Sequence, residues 1–360
     1  MTSAGLAIFG LGAATAIGRN AVLSAAAVRA GIVRPRPVVD PEILDAETHE
    51  PVAISGHPIR GVTDGFTLFG RWLRMATAAV RDLIDTLPDD ERAPAKWRRT
   101  ALLVCAPTMD PLVYLADPHE TLDAIRDQVC LALLEESGLA IPPHLIEVLP
   151  YGHVAFTVGV ERARAHIGVD CDRALVVAVD SLLDPLLLES LVAQGRIKHA
   201  GSPVGFAPGE AGVALLLAGA HAGHTAPAAV ISGLWFDLTP RDVYGATDRV
   251  VAEVCMSAMA VAGLDTVSGE IYVDLNGEVW RARQWGDAQP HLRVKFIGDL
   301  VLPAVNVGDT GAASGALATC LATRSFVRGY SAADHAAIVS LEDNGHVACA
   351  IITRGGTALP

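Results

Sequence analysis

Short, continuously apolar segments alternate along the chain with longer segments in which apolar residues recur at helical spacing. The short segments include Thr100–Cys105, Ala174–Val179, Ala336–Leu341 and His346–Thr353, and the clearest helical spacing is in Phe69–Leu87. Continuous apolar runs of this length are typical of parallel strands that helices cover on both faces. The pattern therefore predicts an α/β fold with a doubly covered sheet.

The remaining elements continue this alternation in two successive series. The pattern predicts further strands at Leu6–Phe9, Leu145–Leu149, Ala229–Trp235 and Glu270–Leu275, and helices at Asn20–Ala30, Glu120–Ser137, Gly152–Ile167, Leu186–Gln194, Thr247–Ala262 and Gly311–Ser325. The order of elements is similar on both sides of a join at residues 220–228. A chain of 360 residues is also long enough for two domains. We therefore predict two similar α/β halves, 1–224 and 225–360.

Composition and charge restrict the classes of partner. The chain is 51% hydrophobic and 5% aromatic, so its core is built mainly from Ala, Val, Leu and Ile. The formal net charge of -13 argues against nucleic acid and against an anionic membrane, since both attract basic proteins. No apolar run reaches the ~18 residues of a transmembrane helix. The apolar N-terminal segment also lacks the basic residue that precedes a signal-peptide core. We therefore expect a cytoplasmic protein.

The sequence offers no clear site for a metal or a cofactor. The six cysteines are widely spaced, and most lie in apolar segments, as Cys105 and Cys349 do. This placement is typical of buried free thiols in a reducing compartment. Gly10-Leu11-Gly12 follows a predicted strand, but the third glycine of a dinucleotide-binding motif would fall at Thr15. We interpret the glycines as a tight turn between strand and helix, and we expect neither metal nor cofactor.

Three glycine-rich segments occur in order along the chain: Phe9–Gly18, Gly205–Ala214 and Gly308–Ala316. The second, Gly-Phe-Ala-Pro-Gly-Glu-Ala-Gly-Val-Ala, resembles the Gly-Phe-x-x-Gly-Glu-Gly-Ala-Gly segment of β-ketoacyl synthases, which are members of the thiolase superfamily. The third is similar to their Gly-His-Thr-x-Gly-Ala-Ala-Gly-Ala segment, and the first looks like their opening turn. The resemblance implies a thiolase-like fold, with duplicated α/β halves in an αβαβα layered arrangement.

The same resemblance locates the positions at which ketosynthases carry a catalytic cysteine and two histidines. The cysteine position, at the start of a buried helix, holds His153. The first histidine position holds Asn276 and the second holds Asp309. A shift of one residue around His153 offers only Gly152 or Val154, so no register supplies a thiol there.

Replacement of Cys-His-His by His-Asn-Asp acts against ordinary condensation. The reaction needs a thiolate to carry the acyl group, and imidazoles to drive decarboxylation and to hold the enolate. We therefore expect a non-condensing binding or accessory pseudoenzyme. The alternative is an acyl-transferring or acyl-hydrolysing enzyme in which His153 and Asp309 form a general-base pair and Asn276 is an oxyanion donor. Its only nearby hydroxyl is that of Thr157. A third possibility is an accessory or adaptor protein of a bacterial secretion system.

Other residues of the motifs have structural interpretations. The resemblance implies that Glu210 is a buried structural carboxylate, and that Gly209, Gly308 and Gly315 permit close backbone approach. Asp180, at the end of a strand, either lines a crevice or caps the following turn.

Two further segments outside the motifs are candidate surfaces for contact with a partner. Trp280 and Trp285 flank two arginines, and we interpret them as part of a solvated loop, with a cation–π cluster on that loop as the alternative. The basic segment Lys96–Arg99 could receive an acyl carrier protein. We also expect a homodimer that pairs through an edge strand at Ala174–Val179. Acyl-CoA and a secretion-related protein are the alternative partners.

Overall fold

The fold is built around one large sheet. A computed structural model describes residues 5–38, 44, 50–51, 53–109, 117–220, 227–245 and 249–356. Within these residues ten strands form the main sheet and two strands, β2 and β3, form a separate pair. The strands are β1 (Leu6–Thr15), β2 (Arg36–Val38), β3 (Ile54–Gly56), β4 (Thr100–Ala106), β5 (Ile146–Pro150), β6 (Arg173–Ser181), β7 (Glu210–Gly219), β8 (Ala229–Asp237), β9 (Ile271–Val273), β10 (Leu300–Val301), β11 (His335–Leu341) and β12 (Val347–Arg354).

Helices cover the sheet and fill the space between its two halves. They are α1 (Ala21–Arg29), α2 (Leu68–Thr86), α3 (Pro94–Trp97), α4 (Pro118–Ile125), α5 (Ala132–Ser137), α6 (Ala155–His166), α7 (Pro185–Ala193), α8 (Val250–Ala262), α9 (Val279–Leu292), α10 (Ala304–Val307) and α11 (Ser314–Val327). Short 3₁₀ turns at Gly152–Val154 and Gly311–Ala313 lead into α6 and α11. None of the helices in the described residues is both long enough and apolar enough to cross a membrane.

The two halves of the sheet repeat one strand order. The full order is β10-β9-β11-β12-β8-β1-β7-β6-β4-β5. The half β5-β4-β6-β7-β1 and the half β10-β9-β11-β12-β8 match strand for strand, and they also match in parallel and antiparallel pairing. A short antiparallel pairing of β1 with β8 joins them. The predicted duplication is therefore confirmed, whereas the boundary at 224/225 lies outside the described residues and stays a prediction.

The packing of the helices against the two half-sheets produces five layers. Helix α2 covers β1, β7 and β6 on one outer face, and α8, with α9 behind it, covers β8 and β12 on the other. Helices α6 and α11 lie between the half-sheets: α6 contacts β4, β6 and β8, and α11 contacts β7 and β11. The first half of α6 and nearly all of α11 consist of apolar or small residues, as helix segments that are covered on both sides require. The predicted αβαβα arrangement is confirmed.

In the first glycine-rich segment Gly10 and Gly12 lie in a strand and not in the predicted tight turn, and the chain turns only at Thr15–Gly18. Strand β1 continues through Gly10 and Gly12 to Thr15, and α1 begins only after Asn20, whose side chain accepts the N–H of Leu23. A Cβ on Gly12 would lie 1.9 Å from the carbonyl oxygen of Ala79 in α2. The glycine therefore lets α2 approach the sheet, so the prediction of a turn at Gly10-Leu11-Gly12 was wrong.

The segment that contains Trp280 and Trp285 is a helix, α9, with one buried side, and not a solvated loop. Trp280 is 3% exposed and Trp285 is 6% exposed. The buried positions of α9, which also include Ala288 and Leu292, lie on one side of the helix. Arg281 lies within 4.6 Å of the Trp280 ring centroid, so the cation–π contact exists, but it is on a helix.

The predicted dimer strand is not at an edge of the sheet. Strand β6, which contains Ala174–Val179, pairs with β7 on one side and with β4 on the other. Its backbone groups are therefore already used in the sheet and cannot pair across a two-fold axis. The edge strands of the main sheet are β5 and β10.

Candidate functional site

His153 lies in the 3₁₀ turn between β5 and α6, at the start of a helix buried between the half-sheets. The preceding Gly152 has φ +57°, and a Cβ there would lie 2.0 Å from Oε2 of Glu342. Glycine adopts this backbone conformation without strain and leaves room for the carboxylate. The N–H of His153 donates to Oε2 of Glu342 at 2.5 Å. The local sequence thus holds the backbone of His153 against the loop after β11.

Asp309 lies in the loop between α10 and α11, and the second glycine-rich segment holds this loop in place. The N–H of Asp309 donates to the carbonyl of Ala207 at 2.9 Å, and the N–H of Gly209 donates to the carbonyl of Asp309 at 2.8 Å. A Cβ on Gly209 would lie 2.2 Å from the carbonyl oxygen of Val307, and Gly308 has φ +73°. The glycine-rich segments of the two halves are therefore in direct backbone contact.

The structure brings His153, Asn276 and Asp309 together. Nε2 of His153 lies 2.9 Å from Oδ1 of Asp309, and Nδ2 of Asn276 donates to the other carboxylate oxygen at 2.6 Å. Nδ1 of His153 lies 3.0 Å from Oε2 of Glu342. Both ring nitrogens of His153 are therefore engaged by carboxylates, and the ring is almost completely buried. The correspondence of these positions to the Cys-His-His of ketosynthases stays a prediction.

Arg281, on α9, completes the charge distribution of this cluster. Its side chain is fully buried, and Nη1 donates to the carbonyl of Leu341 and lies 3.2 Å from Oδ2 of Asp274. Nη2 lies 3.3 Å from Nδ1 and 3.1 Å from Nε2 of His153. If Nη2 lay in the plane of the imidazole at these two distances, it would overlap the carbon atoms of the ring. The guanidinium therefore lies over the face of the imidazole.

The neighbouring charges set the protonation state of His153. Burial and Arg281 act to lower the pKa of His153, but the carboxylates of Asp309 and Glu342 outweigh them and raise it well above 6.5. Burial acts to raise the pKa of Asp309, yet His153, Arg281 and Asn276 together hold it well below its usual range. For Glu342, His153 outweighs burial and lowers the pKa to about 2. At neutral pH His153 is thus an imidazolium that donates to two carboxylates.

Asn276 is held by its neighbours and not directed into open space. Its Nδ2 donates to Asp309 and also to Oε2 of Glu278 at 3.0 Å, and its Oδ1 accepts the N–H of Glu278. Glu278 is paired in turn with Nε of Arg196 at 2.7 Å. Because the amide of Asn276 is already bonded at both ends, it is poorly placed to stabilise an oxyanion.

A cavity of about 370 Å³ reaches the cluster from one side. His153, Asp309, Glu342 and Asp180 line this cavity, together with apolar side chains such as Leu187, Leu191 and Phe206 and with further polar ones such as Gln194 and Arg196. Asp180 accepts the N–H groups of Ser181 and Ala312, and burial raises its pKa to about 7. The sequence suggested that Asp180 either lines a crevice or caps the following turn, and in the structure it does both. The cluster is therefore internally bonded and is still in contact with a cavity.

Arg281 and Glu342 are the site residues that the motifs did not indicate. Arg281 lies in the segment that we predicted to be a loop. Without a predicted helix, the direction of its side chain could not be inferred. Glu342 immediately precedes Asp343-Asn344-Gly345-His346, the segment at the position of the ketosynthase Gly-Phe-Gly-Gly turn. The signal for Arg281 was the spacing of Trp280, Trp285, Ala288 and Leu292, which is compatible with one helical face.

Glu210 is buried and links three parts of the first half. Its Oε1 accepts the N–H of Ile59 at 2.7 Å and a hydrogen bond from Thr63, and its Oε2 accepts from Ser181 at 2.8 Å. Nη1 of Arg71, on α2, lies 2.7 Å from Oε2. The carboxylate thus anchors the segment between β3 and α2, and not only the turn at Gly209. Gly315, in α11, permits close packing, because a Cβ there would lie 3.3 Å from Phe156 of α6.

Glu210→Ala is expected to lower the free energy of unfolding by about 3–5 kcal/mol, because Arg71 and the hydroxyl groups would lose their buried acceptor. Glu210→Gln keeps one acceptor oxygen and is expected to cost less than Glu210→Ala. Urea unfolding of the two variants beside the wild type measures both effects. Equal stability of all three proteins would contradict the structural role of this carboxylate.

Comparison with known proteins supports the fold. No protein-family model and no curated protein matches the chain. Among solved structures, the ketosynthase from module 6 of the bacillaene synthase of Bacillus subtilis 168 matches with a TM-score of 0.76 and 14% identity, over 97% of this chain and 72% of that one. An oxazolomycin ketosynthase domain of Streptomyces albus JA3453 matches with a TM-score of 0.75 and 16% identity, over 99% and 75% of the chains.

A third match is a ketosynthase structure solved in complex with a type II PKS acyl-carrier protein. Its TM-score is 0.74 at 12% identity, and it covers 98% of this chain and 100% of that one. At such low identity the likeness shows the fold alone. The chain therefore has a thiolase-like, ketosynthase-like fold, as the glycine-rich segments predicted.

Proposed function

We propose that the chain is a non-condensing, ketosynthase-like binding or accessory protein. The observation that carries this proposal is the state of His153, whose two ring nitrogens both face carboxylates. An imidazolium held in this way has no free lone pair with which to accept a proton, and an imidazole cannot form an acyl thioester. The carboxylate of Asp309 would repel a developing enolate, whereas condensation requires the enolate to be stabilised.

No thiol supplies an alternative nucleophile. Among the described residues that line the cavity none is a cysteine. Cys105 lies behind the start of α6 and donates to the carbonyl of Ala155 at 3.3 Å, but it is fully buried. Burial also raises its pKa, which keeps the thiol protonated. Thr157 is likewise buried within α6.

The cavity supports a role in binding without covalent chemistry. Its lining combines Leu187, Leu191 and Phe206 with the bonded charge cluster and with further polar groups such as Arg196. Small-molecule sites combine apolar side chains with fixed polar groups. We propose that an acyl group or a ligand of similar shape lies against the three apolar side chains. Acyl-CoA, an acyl carrier protein and a secretion-related protein stay predictions as the source or partner.

A second candidate is an acyl-hydrolysing or acyl-transferring enzyme, and Asp180 is the observation that favours it. A carboxyl group with a pKa of about 7 that lines a cavity is suited to proton transfer near neutral pH. In this candidate Asp180, and not the His153–Asp309 pair, would be the general base. The bonding of Asn276 argues against its role as an oxyanion donor.

The two candidates differ in their expected behaviour toward acyl-thioesters. After incubation with an acyl-CoA or an acyl carrier protein loaded with the same acyl group, we expect no covalent mass increase and no release of free thiol above the buffer rate. An active ketosynthase treated in parallel serves as the positive control. An acyl mass increase mapped to any residue would contradict the proposal. Thiol release that is lost in Asp180→Asn would instead support the enzyme.

The expected homodimer also stays a proposal, now with a different strand. Strand β5 is an edge of the main sheet and leads directly to His153, so pairing of two β5 strands would bring two sites near one interface. The basic segment Lys96–Arg99 is a weaker candidate for an acyl carrier protein, because Lys96 pairs with Glu91 and Arg99 pairs with Asp172.

A further inference from the structure

A second cavity, of about 310 Å³, lies between α1 and the last turns of α11. Apolar side chains form most of its wall, among them Val22, Ala25, Val28, Val301 and Leu321. It shares no lining residue with the cavity at His153. Its volume falls in the range of about 300–1,000 Å³ that is usual for small-molecule sites. It is therefore a separate candidate site.

The charged groups of this cavity have an excess of positive charge. Three arginines and a single carboxylate, Glu270, line it. Glu270 is already paired, because its Oε1 lies 2.6 Å from Nη1 of Arg29 and its Oε2 accepts the hydroxyl of Tyr272 at 3.0 Å. The other two arginines, Arg324 and Arg328, lie one turn apart at the C-terminal end of α11, where Arg328 is the capping residue.

Like charges one turn apart on a helix repel each other, and an anion between them would relieve the repulsion. Arg324 is nearly buried, and Asp82, which does not line the cavity, provides part of its counter-charge. Arg328 is exposed and forms no ion pair within the described residues. The cavity therefore has one cation at its rim for which the described part of the chain supplies no carboxylate.

A buried hydroxyl group points to the same conclusion. Ser325, between the two arginines on α11, is 5% exposed and lines the cavity. Its Oγ has no hydrogen-bond partner among the described residues. A buried hydroxyl without a partner costs free energy, and an acceptor oxygen inside the cavity would remove that cost.

We propose that this cavity binds a small amphipathic anion: a monocarboxylate with an unbranched apolar chain. The carboxylate accepts the hydroxyl of Ser325 and lies near the guanidinium groups of Arg324 and Arg328, where charge-assisted hydrogen bonds are strong. The chain lies against Val22, Ala25 and Leu321. This site is independent of the function proposed for the cavity at His153.

Isothermal titration calorimetry with sodium octanoate and with 1-octanol tests the proposal. Octanoate is expected to bind in this cavity, and octanol is expected to bind there at least about tenfold more weakly, since octanol lacks the charge. Ser325→Ala and Arg328→Gln are each expected to weaken octanoate binding by about threefold or more. Arg328 is exposed, so its variant is expected to fold.

Two further variants make the outcome decisive. Ala25→Trp fills the cavity and is expected to abolish octanoate binding there, whereas Arg126→Gln, at an exposed arginine elsewhere, is expected to leave it unchanged. Equal binding of octanol and octanoate would overturn the anion preference. Undiminished binding to Ala25→Trp, or no binding of octanoate at millimolar concentration, would overturn the site itself.

Discussion

Arg281→Met is expected to lower the free energy of unfolding by about 3–5 kcal/mol. The guanidinium is fully buried and lies beside Asp274 and Glu278 and over the ring of His153. Burial acts to lower the pKa of Arg281, but the surrounding carboxylates raise it, so the group is charged in the folded state. Methionine keeps only the apolar stem of the side chain and leaves Asp274 without its cation, whereas Glu278 keeps its ion pair with Arg196. Urea unfolding at pH 7 measures the loss.

Two variants control for the loss of packing. Arg281→Lys keeps the positive charge but lacks the planar group that bonds several acceptors at once, so an intermediate loss is expected. Arg283→Met changes an exposed arginine on the same helix and is expected to cost about 1 kcal/mol or less. If Arg281→Met lost no more stability than Arg283→Met, the buried charge cluster would not be the source of stability that its geometry indicates.

Asp309→Ala is expected to have an effect of similar size, about 3–5 kcal/mol. Its carboxylate accepts hydrogen bonds from Nε2 of His153, Nδ2 of Asn276 and the N–H of Gly311. Removal of the carboxylate leaves these donors buried without an acceptor, and the imidazolium loses one of its two counter-charges. Thermal and urea unfolding measure the loss.

The matched control for Asp309→Ala is Asp172→Ala. Asp172 also accepts from a cation, Arg99, but both side chains are more than half exposed, so about 0–1 kcal/mol is expected. Asp309→Asn keeps the shape without the charge and is expected to lower the pKa of His153, because one of the carboxylates that raise it is gone. A loss in Asp309→Ala no larger than the loss in Asp172→Ala would contradict a desolvated ion pair.

Much of the fold could be predicted from the sequence because its signals are local. Apolar runs such as Thr100–Cys105 and the helical spacing of Phe69–Leu87 depend on neighbouring residues, and the structure has elements at both places. Gly12 was misinterpreted because its role depends on a distant partner, α2, which a glycine count cannot show. The edge position of β5, and the interior position of β6, likewise follow from the strand order of the whole sheet.

The site was predictable only in part, for the same reason. His153, Asn276 and Asp309 lie in or near the segments that resemble ketosynthase motifs. The resemblance was therefore enough to predict that the three residues lie together. Glu342 and Arg281 contact His153 from the second half, and the spacing of apolar residues around Arg281 indicates a helical face but not a contact with His153. Their charges decide whether His153 is an imidazole or an imidazolium. The positions were therefore accessible from sequence, whereas the protonation state required the structure.

The protonation state of His153 is the central claim, and nitrogen NMR of ¹⁵N-histidine-labelled protein tests it most directly. The spectrum of His153→Gln identifies the signals of this residue among the 12 histidines. Because Asp309 and Glu342 raise the pKa of His153, we expect both ring nitrogens to keep imidazolium shifts from pH 6 through pH 8. A ring that titrates between pH 6 and pH 7, or that shows a neutral tautomer at pH 7, would contradict the claim and would restore His153 as a possible base.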